Sequence, residues 1–277
     1  MASVATTSRL AACFRGLRER NAKGLVIYLT AGDPSLETTG DLLEAIEQGG
    51  ADVIELGIPF SDPLADGPVI QRASERALRR GATLRKVLDL LPCWREKVRA
   101  PIVLFTYFNP VLQYGLEAFA HTASQGGADG ALIVDLTPEE AAGYIGAMRG
   151  HGLDTVFLAS PTSTDERIER VAASTTGFLY LVSRTGVTGE RQSLSAAAQP
   201  LVERARRFTK LPLAVGFGIS TPTQVREIQQ LADAAVVGSA VVHAIEERYP
   251  VGGAAAVQDF VRWLKGASAS ESSGKSA

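Results

Sequence analysis

The 277-residue chain has little of several features that mark specialised proteins. Its two cysteines, Cys13 and Cys93, fit no metal-ligand pair and no redox motif, so a reducing, cytoplasmic location is expected. The N-terminal segment faintly resembles a transit peptide, but its LAACFRGL pattern is more typical of a short amphipathic helix. No apolar run approaches the roughly 20 residues that cross a bilayer. A net charge of −2 predicts no surface for nucleic acid or anionic membrane.

What the sequence does contain is a regular alternation of short apolar runs with longer helical patterns. The runs are rich in Val, Ile and Leu, as are parallel strands buried on both faces. Eight such runs occur, at residues 25–30, 53–56, 102–107, 131–134, 155–159, 178–182, 213–216 and 234–237. An open doubly wound sheet is the competing fold, but the first run ends in TAGDP and not in a GxGxxG turn.

We therefore predict an α/β protein with a single (β/α)₈ TIM barrel over residues 1–266. Extra helices are expected at the N-terminus and after the second strand, and residues 267–277 are a Ser/Gly-rich tail predicted to be disordered. Ser35, Thr137 and Thr221 are predicted helix N-caps, and Gly49-Gly50 is a predicted helix stop.

Two acids stand where a barrel carries its chemistry, at the C-terminal ends of the strands and in the loops beyond. Glu55 ends the second strand between Ile54 and Leu56, and partial burial there would raise its pKa and suit it to proton transfer. Asp66 lies on the following loop, before Gly67. The residue types alone leave a second interpretation open, in which Glu55 is a structural acid and Asp66 a turn or cap residue.

Glycine-rich turns follow the last three strands. Gly218 and Gly238 allow a backbone to approach closely, and Ser239 adds a hydroxyl at a predicted helix start. Barrels often bind phosphate at this place, so a phosphate site is favoured over glycines that merely turn the chain.

The scarcity of other reactive groups narrows the chemistry. None of the six lysines falls at the C-terminal end of a strand, so a Schiff-base aldolase is not expected. His121, His151 and His243 show no ligand spacing and are predicted surface residues, and no metal site is expected. Carbon chemistry performed by carboxylates on a phosphorylated substrate, without a cofactor, remains.

Several long motifs now identify a family. YLTAGDPSLE, ELGIPFSDPLADGPVIQ, TYFNPVLQYG, ASPTSTDERI, LVSRTGVTGE and GFGIS closely resemble the tryptophan synthase alpha chain, from about Leu25 to Ser239. The resemblance implies retro-aldol cleavage of indole-3-glycerol phosphate into indole and glyceraldehyde 3-phosphate. It also implies a beta-chain partner in an α₂β₂ heterotetramer. That beta chain takes up the indole and makes tryptophan from it. Pyridoxal phosphate is expected only in that partner, and no cofactor in this chain.

The resemblance also assigns roles to individual residues. Glu55 matches the acid–base glutamate, and Asp66 matches the acid that accepts a hydrogen bond from the indole N–H. Tyr180 matches a tyrosine near the glycerol part, and Thr188 a residue that meets Asp66 when a lid of residues 184–188 closes. Positions that wall the indole pocket match Tyr28, Phe105, Tyr107, Leu158 and Phe217. The phosphate cradle matches Gly189, Gly218, Gly238 and Ser239. The interface with the beta chain matches Pro59, Phe60, Asp62 and Pro63.

Three positions depart from the family pattern, namely Ile27, Val134 and Ser160, and they bear on pocket shape and partner fit. Two other functions stay open: a stand-alone lyase that releases free indole, and a silent barrel that only activates a beta chain. The PFSDP loop favours the subunit over the first, and the intact acid pair argues against the second. A phosphate-binding isomerase barrel is a more distant alternative, since such enzymes lack the acidic motif.

Overall fold

The computed structural model describes residues 8–182, 194–216 and 218–266, and its centre is a barrel of parallel strands. The strands are β1 (Gly24–Thr30), β2 (Val53–Gly57), β3 (Ile102–Thr106), β4 (Gly130–Ile133), β5 (Asp154–Val156), β6 (Leu158–Ala159), β7 (Leu179–Val182), β8 (Leu213–Gly216) and β9 (Ala234–Val237). They pair in the order β5-β4-β3-β2-β1-β9-β8-β7-β6. The predicted TIM-barrel class is confirmed.

The fifth predicted strand, 155–159, is interrupted at Phe157. Its first part, β5, pairs with β4, and its second part, β6, pairs with β7, so the two parts close the barrel between them. The Phe157 carbonyl still accepts a hydrogen bond from the Tyr180 N–H at 3.1 Å. The barrel therefore has eight strand positions, one of them built from two short segments.

Helices cover the outside of this barrel. In the described residues they are α1 (Arg9–Glu19), α2 (Leu36–Gly49), α3 (Pro68–Arg79), α4 (Leu84–Lys97), α5 (Phe108–Tyr114), α6 (Leu116–Gln125), α7 (Ala142–Gly150), α8 (Asp165–Ser174), α9 (Leu194–Arg206), α10 (Pro222–Leu231) and α11 (Ser239–Leu264). α1 precedes the first strand, and α3 and α4 both lie between β2 and β3, as expected. The described residues contain no helix long and apolar enough to span a membrane.

Two of the three predicted helix N-caps, Ser35 and Thr221, are confirmed. The Ser35 Oγ accepts a hydrogen bond from the Thr38 N–H, and Gly50 ends α2 with a φ of 108°. Thr221 and Gln224 form a reciprocal capping box at the start of α10. The prediction for Thr137 was wrong, because α7 begins at Ala142. A turn intervenes, in which the Glu140 N–H donates to the Thr137 carbonyl.

Successive side chains along a strand point to opposite faces of the sheet. The strands therefore divide the core into an inner layer and an outer layer. Outward side chains, such as Ile27, Ile54 and Leu104, pack under the helices. Inward side chains fill the lower barrel, and they include Val26, Val53, Val103 and Leu132. α1 closes the N-terminal end of this interior with its buried residues Leu10, Phe14 and Leu17. The upper interior is left for the site.

Candidate active site

A cavity of about 700 Å³ opens at the C-terminal ends of the strands. The structure brings together there most of the residues selected from the sequence: Tyr28, Glu55, Asp66, Phe105, Leu158, Tyr180, Gly218, Gly238 and Ser239. Thr188, Gly189 and Phe217, and the lid at 184–188, lie outside the described residues. The mouth of the barrel is thus a single site built from several different strands and loops.

Glu55 projects into the barrel interior from β2. It pairs in register with Tyr28 of β1 and Val103 of β3, one inward layer above Val53. Its side chain is 1% exposed, and within the described part of the chain its Oε1 has no hydrogen-bond partner. Burial disfavours the charged form and raises the pKa of Glu55 to about 8. At neutral pH Glu55 is therefore mostly a neutral acid that can donate a proton.

Two tyrosines flank this carboxyl. The Tyr28 hydroxyl lies 3.3 Å from the Thr30 Oγ1, and the Tyr28 ring meets Phe105 edge-on at 5.2 Å between centroids. Burial raises the pKa of Tyr28 and Tyr180, and the charges of Asp66 and Glu55 raise both further. Both phenols thus stay protonated and lie within the field of both carboxyls.

The strand glycines leave room for these phenol groups. A Cβ at Gly57 would collide with the Tyr28 hydroxyl, and one at Gly216 would collide with the Tyr180 hydroxyl. Both glycines point into the barrel, since Gly57 follows Glu55 at the strand period of two and Gly216 follows Ala214. The absence of side chains at these inward positions therefore sets where the two hydroxyls lie.

Asp66 is held over the cavity by a neighbouring loop. The Tyr107 hydroxyl donates to the Asp66 Oδ2 at 3.0 Å and accepts from the Ala65 N–H at 3.0 Å. Partial burial raises the pKa of Asp66 to about 6, against the effect of the Tyr107 hydrogen bond, which lowers it. Asp66 is therefore mostly ionised at neutral pH, while Glu55 is mostly protonated. The two acids are suited to different tasks.

Tyr107 differs from its predicted place in the pocket wall. β3 ends at Thr106, and Tyr107 is the N-cap residue of α5, so it is not among the residues that line the cavity. Its ring packs against Phe60 at 5.1 Å between centroids. Tyr107 instead donates a hydrogen bond to Asp66 and contacts Phe60, so it joins two parts of the loop that follows β2.

The turns after β8 and β9 give one part of the cavity wall the features of an anion site. Gly238 is the N-cap residue of α11, Ser239 begins that helix, and both line the cavity with Ala240, where a helix start offers N–H groups that have no partner within the helix. Gly218 has a φ of +78°, a conformation that favours glycine, and it lies in the turn after β8. Backbone donors, the Ser239 hydroxyl and the helix dipole are therefore available to one phosphate.

Some lining residues escaped the sequence analysis. Arg72 of α3 and His243, Glu247 and Arg248 of α11 line the outer part of the cavity. The prediction of His243 as a plain surface residue was incomplete, because it faces the cavity with its Nε2 3.3 Å from the Glu247 Oε1. The spacing of positions 239, 243 and 247 is the signal that places them on one helix face.

The other predicted residues lie around this cavity. Val134, one of the departures from the family pattern, lines it directly, whereas Ile27 is buried in the outer core layer. In the predicted interface loop, Asp62 is exposed, Phe60 and Pro63 are partly exposed, and Pro59 is buried. Leu64, next to them, is 91% exposed. Pro59 can therefore shape this loop but presents little surface to a partner.

Fold and site together define a class: a parallel α/β barrel with a buried neutral acid, an ionised carboxylate and a glycine-rich helix start at the mouth of its cavity. Comparison with known proteins narrows this class. The sequence model of the family described as "Tryptophan synthase alpha chain" matches residues 14–267. The chain belongs to the tryptophan synthase alpha chain family, whose members are carbon–carbon lyases acting on indole-3-glycerol phosphate. The resemblance drawn from the motifs is confirmed.

Individual relatives agree with this placement. The chain is 57% identical to the tryptophan synthase alpha chain of Solibacter usitatus over 240 residues, 87% of this chain and 90% of that one. It is 49% identical to that of a Roseiflexus species over 260 residues, 94% of this chain and all of the other. Among solved structures, tryptophan synthase subunit alpha of Legionella pneumophila is similar, with a TM-score of 0.83, 37% identity and coverages of 94% and 98%. A structure of Mycobacterium tuberculosis tryptophan synthase is also similar, with a TM-score of 0.85 and 37% sequence identity. The match covers 94% of this chain and 97% of that one.

Proposed function

We propose that this chain cleaves indole-3-glycerol phosphate into indole and glyceraldehyde 3-phosphate, with Glu55 moving both protons. The observation that carries this mechanism is the carboxyl of Glu55, which is enclosed in the barrel and protonated near neutrality. A group that must act first as an acid and then as a base works best when its pKa lies near the working pH.

The first step is protonation of the indole ring. The Glu55 carboxyl donates its proton to C3 of the indole, which leaves a Glu55 carboxylate and a cationic indolenine. The positive charge is spread onto the ring nitrogen, whose N–H then donates a stronger hydrogen bond to the ionised Asp66. Because Tyr107 fixes the Asp66 carboxylate in advance, this stabilisation needs little rearrangement.

The second step breaks the carbon–carbon bond and restores the acid. The Glu55 carboxylate removes the proton from the glycerol hydroxyl next to the ring, and the oxygen lone pair forms the aldehyde carbonyl. The electrons of the broken bond return to the indole ring and neutralise it. Glu55 is protonated again, so one carboxyl serves the whole cycle without an external acid or base.

The cavity walls supply binding. We assign the indole ring to the apolar wall formed by Phe105, Leu158 and Tyr28, and the glycerol part to the neighbourhood of Tyr180. The phosphate is assigned to Gly218, Gly238 and Ser239. Thr188, Gly189 and Phe217 keep their predicted roles as proposals.

The family's alpha chain works with a beta chain, and we propose an α₂β₂ heterotetramer here. Phe60 contacts Tyr107, which holds Asp66, so the predicted interface loop adjoins the site. This favours the subunit over a stand-alone lyase. We propose further that this chain needs no cofactor, that pyridoxal phosphate belongs to the beta chain, and that the location is cytoplasmic, which suits two unpaired cysteines.

The proposal is tested by the variant Glu55→Gln. Glutamine keeps the size of the side chain but cannot exchange the proton, so we expect indole release from indole-3-glycerol phosphate to fall by at least about 10²-fold. Binding of glyceraldehyde 3-phosphate and the circular dichroism spectrum are expected to stay unchanged.

The outcomes separate the candidate functions. Substantial turnover by Glu55→Gln would refute the acid–base role. A wild-type protein that releases no indole, yet stimulates a beta chain, would select the silent activator. Indole release that a beta chain does not stimulate would select the stand-alone lyase.

A further inference from the structure

The phosphate end of the cavity poses a problem of charge. Among the described residues, the groups assigned to the phosphate at Gly218, Gly238 and Ser239 are neutral donors, whereas a phosphate monoester carries up to two negative charges near pH 7. Backbone N–H groups and a helix dipole compensate only part of that charge. The neighbouring side chains that line the same cavity therefore decide how attractive it is to a dianion.

Two elements bring side-chain charge to this end of the cavity. α3 contributes Arg72, and α11 contributes His243, Glu247 and Arg248. The His243 Nε2 lies 3.3 Å from the Glu247 Oε1, so these two side chains contact each other. The Arg248 guanidinium stacks over the Phe260 ring at 4.7 Å, across the kink that interrupts α11 at Gly253, so it is engaged with that ring.

The packing of α3 against α11 locates Arg72. Near the start of both helices, a Cβ at Gly238 would lie 3.8 Å from the Ile70 Cδ1. Further along, the Arg76 Nη1 lies 2.7 Å from the Glu246 Oε1. The two helices thus run side by side in the same direction, with residue 70 beside residue 238 and residue 76 beside residue 246.

Arg72 is one helical turn before Arg76 on the same face of α3. Their separation of four residues corresponds to about 6 Å along the axis, towards Gly238 and Ser239. Arg72 therefore faces the first turns of α11, which explains why it lines the cavity together with Ser239 and His243.

Arg72 and Arg76 differ in what they bind. Arg76 is engaged by Asp33 in a two-pronged pair, with Nε–Oδ1 and Nη2–Oδ2 distances of 2.9 and 2.7 Å, and by Glu246. Arg72 makes neither an ion pair nor a hydrogen bond with any residue of the described ranges. Its charge is not offset there and is directed to the cavity.

We propose that Arg72 is a substrate-binding cation for the phosphate of indole-3-glycerol phosphate, with Arg248 as a second, weaker contributor. The inference rests on the proposed function and assigns to that site a determinant of affinity for phosphorylated over unphosphorylated substrates. Arg72 lies at the exposed rim, far from the carbon–carbon bond that breaks. It therefore binds ground state and transition state equally, which lowers KM and leaves kcat unchanged.

The test compares Arg72→Gln with the wild-type chain in steady-state cleavage of indole-3-glycerol phosphate at about 20 mM and about 500 mM salt. We expect KM to rise about 3- to 10-fold at low salt with kcat within about twofold, because a rim charge acts through a screened field. At high salt the difference is expected to shrink to less than about twofold. Arg72→Lys keeps the charge and is expected to restore most of the affinity.

Two controls isolate the effect. Arg79→Gln removes an equal charge from the same helix at an exposed position paired with Glu75, and it is expected to leave KM unchanged. Binding of inorganic phosphate, measured by competition or calorimetry, is expected to weaken in Arg72→Gln by a similar factor, and this readout needs no turnover.

The failures of the two proposals are distinguishable. An unchanged KM in Arg72→Gln, or an equal change in Arg79→Gln, would overturn the role of Arg72 while leaving the lyase function intact. A loss of kcat alone would also overturn it. An inactive wild-type chain that still binds phosphate through Arg72 would overturn the proposed reaction and not this inference.

Discussion

At the scale of single residues, environment and not residue type separates the two acids. Glu55 stands on a strand inside the barrel, where burial raises its pKa to about 8. Asp66 stands on a loop with a tyrosine hydrogen bond, and its pKa rises only to about 6. When the environment separates the pKa values of two titratable groups in this way, the separation indicates which group acts as the acid and which stays ionised.

The raised pKa of Glu55 also predicts how stability depends on pH. Its folded-state value lies above the ordinary value of 4.5, so its contribution is fully present below about pH 4.5 and is lost as pH rises to about 8. Relative to Glu55→Gln, the wild-type protein is therefore expected to lose roughly 4 kcal/mol of unfolding free energy between pH 5 and pH 8.5.

Urea denaturation of both proteins across this range measures the difference. Glu169→Gln, an exposed position on α8, serves as the matched control and is expected to show no such slope. A constant difference between wild type and Glu55→Gln would show that Glu55 titrates near its ordinary pKa.

At the scale of elements, α1 illustrates a helix whose role is architectural. Leu10, Phe14 and Leu17 recur at helical spacing and are all buried at the floor of the barrel. The Phe14 and Phe178 rings lie 5.8 Å apart. This contact closes the end of the barrel opposite to the site, so it concerns stability and not chemistry.

We accordingly predict that Phe14→Ala lowers the unfolding free energy by about 3–5 kcal/mol, because it leaves a cavity among packed side chains. In the protein that remains folded, KM and kcat are expected to stay within about twofold of wild type. Phe208→Ala, at a partly buried position beyond α9, is the control with a smaller expected loss. A loss of kcat greater than the loss of folded protein would contradict this division.

At the scale of the whole molecule, the site exists only because separate segments meet. Glu55 comes from β2, Asp66 from the next loop, Tyr180 from β7 and Ser239 from the start of α11. The partly exposed loop with Phe60 and Asp62 adjoins Tyr107, which holds Asp66. A partner bound at this loop would therefore act on the site through the position of one carboxylate.

We expect Asp62→Ala to lower the stimulation of indole release by a beta chain at least about fivefold, with little change in the isolated subunit. The side chain of Asp62 is exposed and does not line the cavity, which is why the basal rate is spared. Asp89→Ala, an exposed acid on α4, is the control. An equal loss with and without the beta chain would refute the role of this loop in communication.

The amino-acid sequence by itself determined the barrel, the capping of α2 and α10, and the two acids. Continuous Val/Ile/Leu runs, N-cap side chains and a long acidic motif are local signals, and such signals can be recognised without knowledge of the fold. Thr137 failed as an N-cap because a turn of 138–141 satisfies the same local pattern without starting a helix.

Only the tertiary structure decided which side chains share the cavity. Tyr107 left the pocket wall because β3 ends one residue earlier, and it supports Asp66 instead. Arg72 and His243 entered the site because α3 and α11 pack side by side, although about 170 residues separate them in the chain. Burial, pKa and charge pairing depend on such distant contacts, and no short stretch of sequence contains them.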